Sequence, residues 1–327
     1  MAVYTHVPAE AMADFLRRYD VGELVSAKGI AEGVENSNYL VETTGGPGGN
    51  GARRFILTLY EKRVDEGDLP FFMDLLDHLA VGGCRVPRFI PDATGAKLQR
   101  LAGRPACLIE FLTGVSVTEP TDAQAHAAGV ALGEMHRAAQ GFAGERRNAL
   151  DLAGWHDLAA RCGDHFDEIA PGLGDRVHQE LAFLDAHWPA DLPRAVIHAD
   201  LFPDNVLMLG DSVTGLIDFY FSCTDTRAYD LAVTHGSWCF TFDGSAFHAG
   251  RAAALVSGYD AAFGLSPRER EAFPTLCRGS ALRFLLTRAY DWINTPPDAL
   301  VTRKDPLAFL RRLDFYASAD PAALLGA

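Results

Sequence analysis

Apolar and polar positions alternate through the first third of the chain. Asn38–Thr43 (NYLVET) and Phe55–Tyr60 (FILTLY) mix β-branched, aromatic and alternating residues, the pattern of half-buried strands. Between them, residues 45–51 (GGPGGNG) read as a loop by composition. Leu69–Leu79 (LPFFMDLLDHL) places apolar residues at helical spacing, and Arg88–Pro91 and Pro105–Leu112 (PACLIEFL) read as further strands. The predicted order is strand, strand, helix, strand, strand.

Beyond residue 112 the period changes from two to 3.6. Thr121–Gln140 is Ala-rich and opens with Thr-Asp, a capping pair. Helical patterns recur near 154–170, 174–187, 228–239, 245–263, 267–293 and 305–317, interrupted by two short apolar strands, Ala195–Ile197 and Val213–Ile217. There is no internal repeat. The expected architecture is α+β: a small sheet lobe over residues 1–112, a larger helical lobe over 113–327, and a cleft between them.

The size supports this division, because 327 residues exceed what one core usually serves. Apolar residues make up 48% and charged residues 22%, an ordinary globular balance. The 43 acidic and 29 basic residues leave a formal net charge of −14, which repels nucleic-acid backbones and anionic lipid. The expected partner is therefore a small molecule. The six cysteines are scattered without Cys-x-x-Cys spacing, so they read as reduced core thiols rather than a disulfide frame or zinc site. The N-terminus lacks a signal-peptide pattern and no apolar run reaches membrane-spanning length, so the expected location is the cytoplasm. Oligomeric state is left open.

The densest polar cluster in an apolar setting is Val196–Asp218. Asp200 and Asn205 are five residues apart, His198 precedes them, and Asp218 ends an apolar run. Phosphoryl transfer needs a carboxylate to orient the acceptor hydroxyl and take its proton, and hard oxygen ligands to hold Mg²⁺ on the phosphates. An H-x-D-x-x-x-x-N segment supplies the first group and one ligand, and an acid ending a nearby strand supplies the second ligand. The reading is an ATP- and Mg²⁺-dependent kinase, with Asp200 catalytic and Asn205 and Asp218 on the metal. A literal G-x-G-x-x-G at 46–51 precedes a strand rather than opening a helix, so it is read as a hairpin loop. Neither a P-loop nor a G-x-S-x-G elbow occurs.

These residues, with HADLFPDNVL (198–207), LIDFYFSCTD (216–225) and YDLAVTHGSWCF (229–240), resemble the aminoglycoside phosphotransferase-like kinase family. Within it, VENSNYLV (34–41), FILTLYEKR (55–63), LPFFMDLLDHLA (69–80) and LRFLLTRAYDW (282–292) are most similar to its bacterial homoserine kinases. The resemblance implies a protein-kinase-like two-lobed fold, with one helix on a small antiparallel N-terminal sheet and a larger, mainly helical C-terminal lobe. It implies transfer of the ATP γ-phosphoryl to L-homoserine in threonine biosynthesis. It places Gly29, Gly33 and Ser37 in a phosphate-covering turn, and Glu110 and Leu112 at an adenine-facing hinge. It gives His198 and Asp230 scaffold roles.

Two positions depart from the family pattern. Ala199 stands where Gly is frequent, and Thr58 stands where many relatives carry a phosphate-contacting Lys or Arg; Lys62 or Arg63 are the local substitutes, and Asp74 or Asp77 the helix carboxylates for an ion pair. The homoserine assignment also calls for an acid, and a guanidinium or backbone donors, at the amino-acid end. The candidates are Asp225, Arg283, Arg288 and Asp291. Two rivals remain at this point: a kinase of the same fold acting on an amino alcohol or aminoglycoside, and a nucleotide-binding pseudokinase.

Overall fold

The structure, a computed structural model, describes residues 4–30, 36–46, 51–61, 64–295 and 303–326. It divides into two compact units, Met1–Thr113 and Gly114–Ala327.

The first unit is built on an antiparallel sheet. Its elements are α1 (Ala9–Leu16), β1 (Leu24–Gly29), β2 (Asn36–Thr43), β3 (Arg53–Tyr60), α2 (Leu69–Val81), β4 (Phe89–Ile90), β5 (Gln99–Leu101) and β6 (Arg104–Glu110). Strand order is β1-β2-β3-β6-β4, with β5 also pairing β6. Alternation in β2 sends Tyr39 and Val41 to the same core as Phe55, Leu57 and Leu59 of β3. Met12, Phe15 and Leu16, spaced three and four apart on α1, join that core.

The predicted order holds from β2 onward, but α1, β1 and β5 were not foreseen. The reason for β1 is physical: an edge strand with exposed positions along nearly its whole length carries no alternation to read. The strand expected to run to Leu112 ends at Glu110, and Phe111 and Leu112 lie beyond it.

The second unit contains α3 (Asp122–Ala138), α4 (Leu152–Cys162), α5 (Phe166–Ile169), α6 (Leu173–His187), β7 (Arg194–Ile197), β8 (Val206–Leu209), β9 (Ser212–Leu216), β10 (Cys223–Thr226), α7 (Arg227–Trp238), α8 (Ala249–Ala262), α9 (Pro267–Asn294), α10 (Leu307–Ser318) and α11 (Pro321–Leu325). The Thr121 cap is real. Its hydroxyl accepts the Gln124 N–H at 3.2 Å and the Gln124 side chain accepts the Thr121 N–H at 3.0 Å, a reciprocal capping box. The helix expected over 154–170 breaks at Gly163, whose φ of 52° no ordinary helix continues.

Small residues let α3 and α8 approach closely. A Cβ on Gly129 or on Gly258 would fall 2.1 Å from a carbonyl oxygen of the facing helix. That contact explains the Ala/Gly bias of α3, and it brings His136 of α3 beside Tyr259 of α8. Helix α9 is buried on most sides, as a helix at the centre of a helical unit must be. Two small antiparallel pairs, β7 with β10 and β8 with β9, lie in the same unit and carry the polar cluster. All six cysteines are free, and five are buried. Among the described residues no helix is long and apolar enough to cross a membrane.

Candidate active site

The chain leaves β7 at Ile197, turns through His198–Phe202, makes a short 3₁₀ turn at Pro203–Asn205, and enters β8. Ala199 takes φ 64°, in the left-handed region. Glycine takes that region without a Cβ penalty, which gives a backbone reason for the glycine that the family resemblance implies here. Asp230, fully buried on α7, holds the turn: its carboxylate accepts the N–H groups of His198 and Ala199, both at 2.7 Å. It also accepts Nε2–H of His136 at 3.0 Å, and Nδ1 of that ring meets the Tyr259 hydroxyl at 2.9 Å. Burial opposes ionisation of Asp230, but the hydrogen bond and charge of His136, with the backbone N–H of His198, prevail and hold its pKa below the usual value. The scaffold role expected for Asp230 is therefore visible in its contacts.

His198 is also fully buried. Its Nε2–H donates to the Ile217 carbonyl at 3.0 Å, and its Nδ1 accepts the Asp200 N–H at 3.3 Å. Both ring nitrogens are used by the neutral form, and burial pushes the pKa down. The ring thus ties Asp200 to the residue preceding Asp218.

Asn205 and Asp218 meet because β8 and β9 form a hairpin. Val206 pairs with Leu216, and the Ile217 N–H donates to the Asn205 carbonyl at 3.0 Å. The Asn205 amide nitrogen donates to the Asp200 carbonyl oxygen at 2.8 Å and lies 3.3 Å from its Oδ2. With the nitrogen committed, the amide oxygen is left as the acceptor or ligand atom. Asp218 is exposed, at φ 65° and ψ 60°. The Asp200 carboxyl is half-buried, and desolvation pushes its pKa well above the usual range; the Arg283 guanidinium opposes this, while Asp218 and Asp204 add to it. A carboxylate of raised basicity suits proton acceptance.

Among the described residues no three His, Cys, Asp or Glu side chains cluster as a self-sufficient metal site. The donor set of Asn205 and Asp218 is the kind that holds Mg²⁺ jointly with a ligand's phosphates, since Mg²⁺ is seldom caged by protein alone.

In the first unit, Gly29 ends β1 opposite Tyr39. Gly33 lies outside the described residues, as do Lys62 and Arg63. Ser37 needs correction. Its fully buried hydroxyl accepts the N–H groups of Tyr4 at 2.9 Å and Thr5 at 3.0 Å, and donates to Glu61 at 2.8 Å. That hydroxyl is committed to the protein rather than open to a phosphate. Thr58 is buried and donates to Asn38 at 2.7 Å, while Asp77 of α2 pairs with Lys97. Glu110 and Leu112 are half-buried, and the Glu110 N–H donates to the Arg88 carbonyl at 2.9 Å.

The four substrate candidates separate. Asp225 accepts from Asn148 at 2.6 Å and from the Thr226 N–H at 2.7 Å, so both its oxygens serve the β10 turn. Arg283 is buried, donates to the Ala199 carbonyl, and lies over the Phe284 ring. Arg288, on α9 like Arg283, is buried beneath Phe309 of α10. Asp291, half-buried, sits near the end of α9. Trp238 is fully buried and donates its indole N–H to the Leu201 carbonyl at 3.0 Å. Two charges escaped the sequence reading: Asp204 and Lys304 both act electrostatically on Asp200. Asp204 could have been found, since it lies inside the D-x-x-x-x-N segment; nothing local marked Lys304.

The profile of the phosphotransferase enzyme family matches residues 26–265. A homoserine kinase from Zymomonas mobilis is 54% identical over 99% of this chain and 99% of its own. One from Allorhizobium ampelinum is 52% identical over 100% of this chain and 99% of its own. A solved choline kinase from Cryptosporidium parvum superimposes with a TM-score of 0.68 at 15% identity, covering 95% of this chain and 94% of its own. That likeness bears on fold, and it agrees with the protein-kinase-like α+β architecture expected from sequence. On the family profile and these full-length identities, the chain belongs to the phosphotransferase enzyme family.

Proposed function

We propose that this protein is a homoserine kinase: it transfers the γ-phosphoryl group of ATP to the side-chain hydroxyl of L-homoserine, giving O-phospho-L-homoserine for threonine synthesis. The observation that carries the substrate is the 54% identity to a homoserine kinase along the whole of both chains. The intact Asp200, Asn205 and Asp218 are what a pseudokinase reading would need to be missing.

Asp200 orients the hydroxyl and takes its proton as the oxygen bonds to the γ-phosphorus. The bond from that phosphorus to the bridging oxygen breaks, and the electron pair leaves with ADP. His198 holds the Asp200 backbone, and Asn205 tethers the loop from the other side. Asn205 and Asp218 would hold Mg²⁺, which when bound neutralises charge on the phosphates. Gly29, at the end of β1, and Gly33, which lies outside the described residues, are assigned a phosphate-covering role by the family resemblance, and the backbone at Glu110 and Leu112 an adenine-facing one.

The direct test is ADP release with Mg-ATP and, in turn, L-homoserine, L-serine, choline and kanamycin. Selective turnover of L-homoserine is expected. Turnover of choline or kanamycin instead would keep the chemistry and overturn the substrate.

A further inference from the structure

Three arginines, Arg283, Arg288 and Arg312, are buried on α9 and α10. Buried cations need partners; Arg312 has four, whereas Arg283 and Arg288 have one each and the buried Nε of Arg283 has none among the described residues. Arg312 donates to the carbonyls of Gly236 at 2.8 Å, Ala308 at 2.6 Å, Thr241 at 2.8 Å and Phe242 at 3.3 Å. Arg283 donates to the Ala199 carbonyl and so braces the catalytic loop.

Arg288 is different. Its one hydrogen bond among the described residues goes to the Asp305 carbonyl at 3.1 Å rather than to the catalytic loop, and at 9% it is more exposed than Arg283 at 2%. No carboxylate of a described residue forms an ion pair with it. The Phe309 ring covers one side, with the guanidinium carbon 4.5 Å from the ring centroid. A guanidinium has five N–H donors in a fork that matches a carboxylate, so most of this one is unused. Burial and the neighbouring Arg312 draw its pKa down to about 10, and the charges of Asp305, Asp200 and Asp204 oppose that fall. Phe309, which covers this cation, packs 6.2 Å from Phe202, and Phe202 lies between Asp200 and Asp204 on the loop, so the cation sits beside the segment that carries both carboxylates. Asp204 is exposed, immediately precedes Asn205, and has no side-chain hydrogen bond or ion pair among the described residues. A forked cation and a free carboxylate beside Asp200 complement a zwitterion that carries a hydroxyl.

We infer that Arg288 receives the substrate's α-carboxylate and Asp204 its ammonium, while Asp200 faces the hydroxyl. This assignment rests on the homoserine kinase reading and supplies its specificity. It replaces Asp225 as the acid of the pocket, because Asp225 is already committed to Asn148 and Thr226. In L-homoserine the hydroxyl oxygen and the carboxyl carbon lie roughly 5 Å apart when extended, from bond lengths near 1.5 Å, which sets the substrate's reach between Asp200 and a carboxylate anchor.

The test uses two truncated substrates with the full-length enzyme. 3-Aminopropan-1-ol is homoserine without its carboxylate, and 4-hydroxybutyrate is homoserine without its ammonium. For Arg288→Met, the ratio of kcat/KM for L-homoserine to that for 3-aminopropan-1-ol should fall about a hundredfold, the usual scale for losing one partner of a buried charge pair. For Asp204→Asn, the ratio of L-homoserine to 4-hydroxybutyrate should fall by roughly two- to fivefold, since Asp204 is exposed and its pairing is solvent-screened. Analogues that turn over too slowly to time give the same comparison through their inhibition constants. Arg288→Lys keeps the charge and stem, so it serves where the Met variant fails to fold; it should raise KM for L-homoserine more than it lowers kcat. Equal losses on whole and truncated substrates would make Arg288 purely structural and overturn the assignment. So would unchanged L-homoserine kinetics in these variants. Wild-type enzyme that does not phosphorylate L-homoserine would overturn the homoserine kinase reading together with the pocket, an outcome separate from the other two.

Discussion

The Asp230 carboxylate accepts the backbone N–H of Ala199 at 2.7 Å, and Ala199 is the non-glycine residue that turns the catalytic loop through the left-handed region. A buried acid thus secures the most conformationally costly residue of the loop, and the same acid accepts the His198 N–H.

Removing that acid should loosen the loop without touching substrate. In Asp230→Asn, one oxygen must serve donors that a carboxylate satisfied with two, and the new amide N–H₂ faces another donor. A stability loss of about 3 kcal/mol is expected, the scale for breaking a buried charged network. Urea denaturation monitors it, and kcat should fall more than KM for ATP changes. A variant with wild-type midpoint and turnover would remove Asp230 from this role.

The backbone at position 199 makes a second prediction. Ala at positive φ costs about 1–2 kcal/mol, while glycine costs roughly 0.5–1 kcal/mol in chain entropy. Ala199→Gly should therefore be neutral to slightly stabilising, with its activity retained. Ala199→Val adds β-branching at the same φ and should lower both stability and turnover. Thermal melts of the pair, compared with wild type, check the sign.

Asp218 also sits at positive φ, but asparagine tolerates that region nearly as well. Asp218→Asn should keep the melting temperature within a degree or two and lower kcat at least a hundredfold, with a steeper dependence on Mg²⁺ concentration. Full turnover at wild-type Mg²⁺ concentration would sink the metal assignment.

His235 supplies a pH prediction. It is fully buried on α7 with Nδ1 2.7 Å from the Tyr316 hydroxyl, and burial pulls its pKa down from 6.5 to about 4. Between those values the unfolded chain binds a proton that the folded chain does not. Stability must therefore rise with pH through this window and be lost as pH falls from 6.5 towards 4, by about 3 kcal/mol in all. The difference in unfolding free energy between wild type and His235→Gln, followed across that window, should shrink as pH falls. A difference that stays constant would mean that His235 titrates normally.

The sheet's first helix and edge strand show where sequence reading stopped in the fold. Strand β2 and helix α3 were legible because one buried face leaves a period of two or 3.6 in neighbouring residues, and β3 and α9 because their apolar runs are long. Strand β1 has almost no buried face, and α1 is two turns long.

The catalytic cluster divides the same way. His198, Asp200 and Asn205 were readable because their chemistry lies within eight residues of one loop, and Asp218 because a short hairpin returns the chain to it. What those residues rest on was not readable. His136 lies 94 residues from Asp230 in sequence and Tyr259 lies 123 from His136, yet they form one hydrogen-bonded row because α3 and α8 meet through glycines. Likewise Ser37, Asp225, Arg283 and Arg288 looked equally available as bare residue types. Their partners, distant in sequence, decide that Ser37 and Asp225 are committed and that Arg288 keeps donors to spare. Residue type and local spacing determined which chemistry this chain can perform. Only the tertiary structure decided which polar groups are already satisfied, because satisfaction depends on contacts that no local pattern encodes.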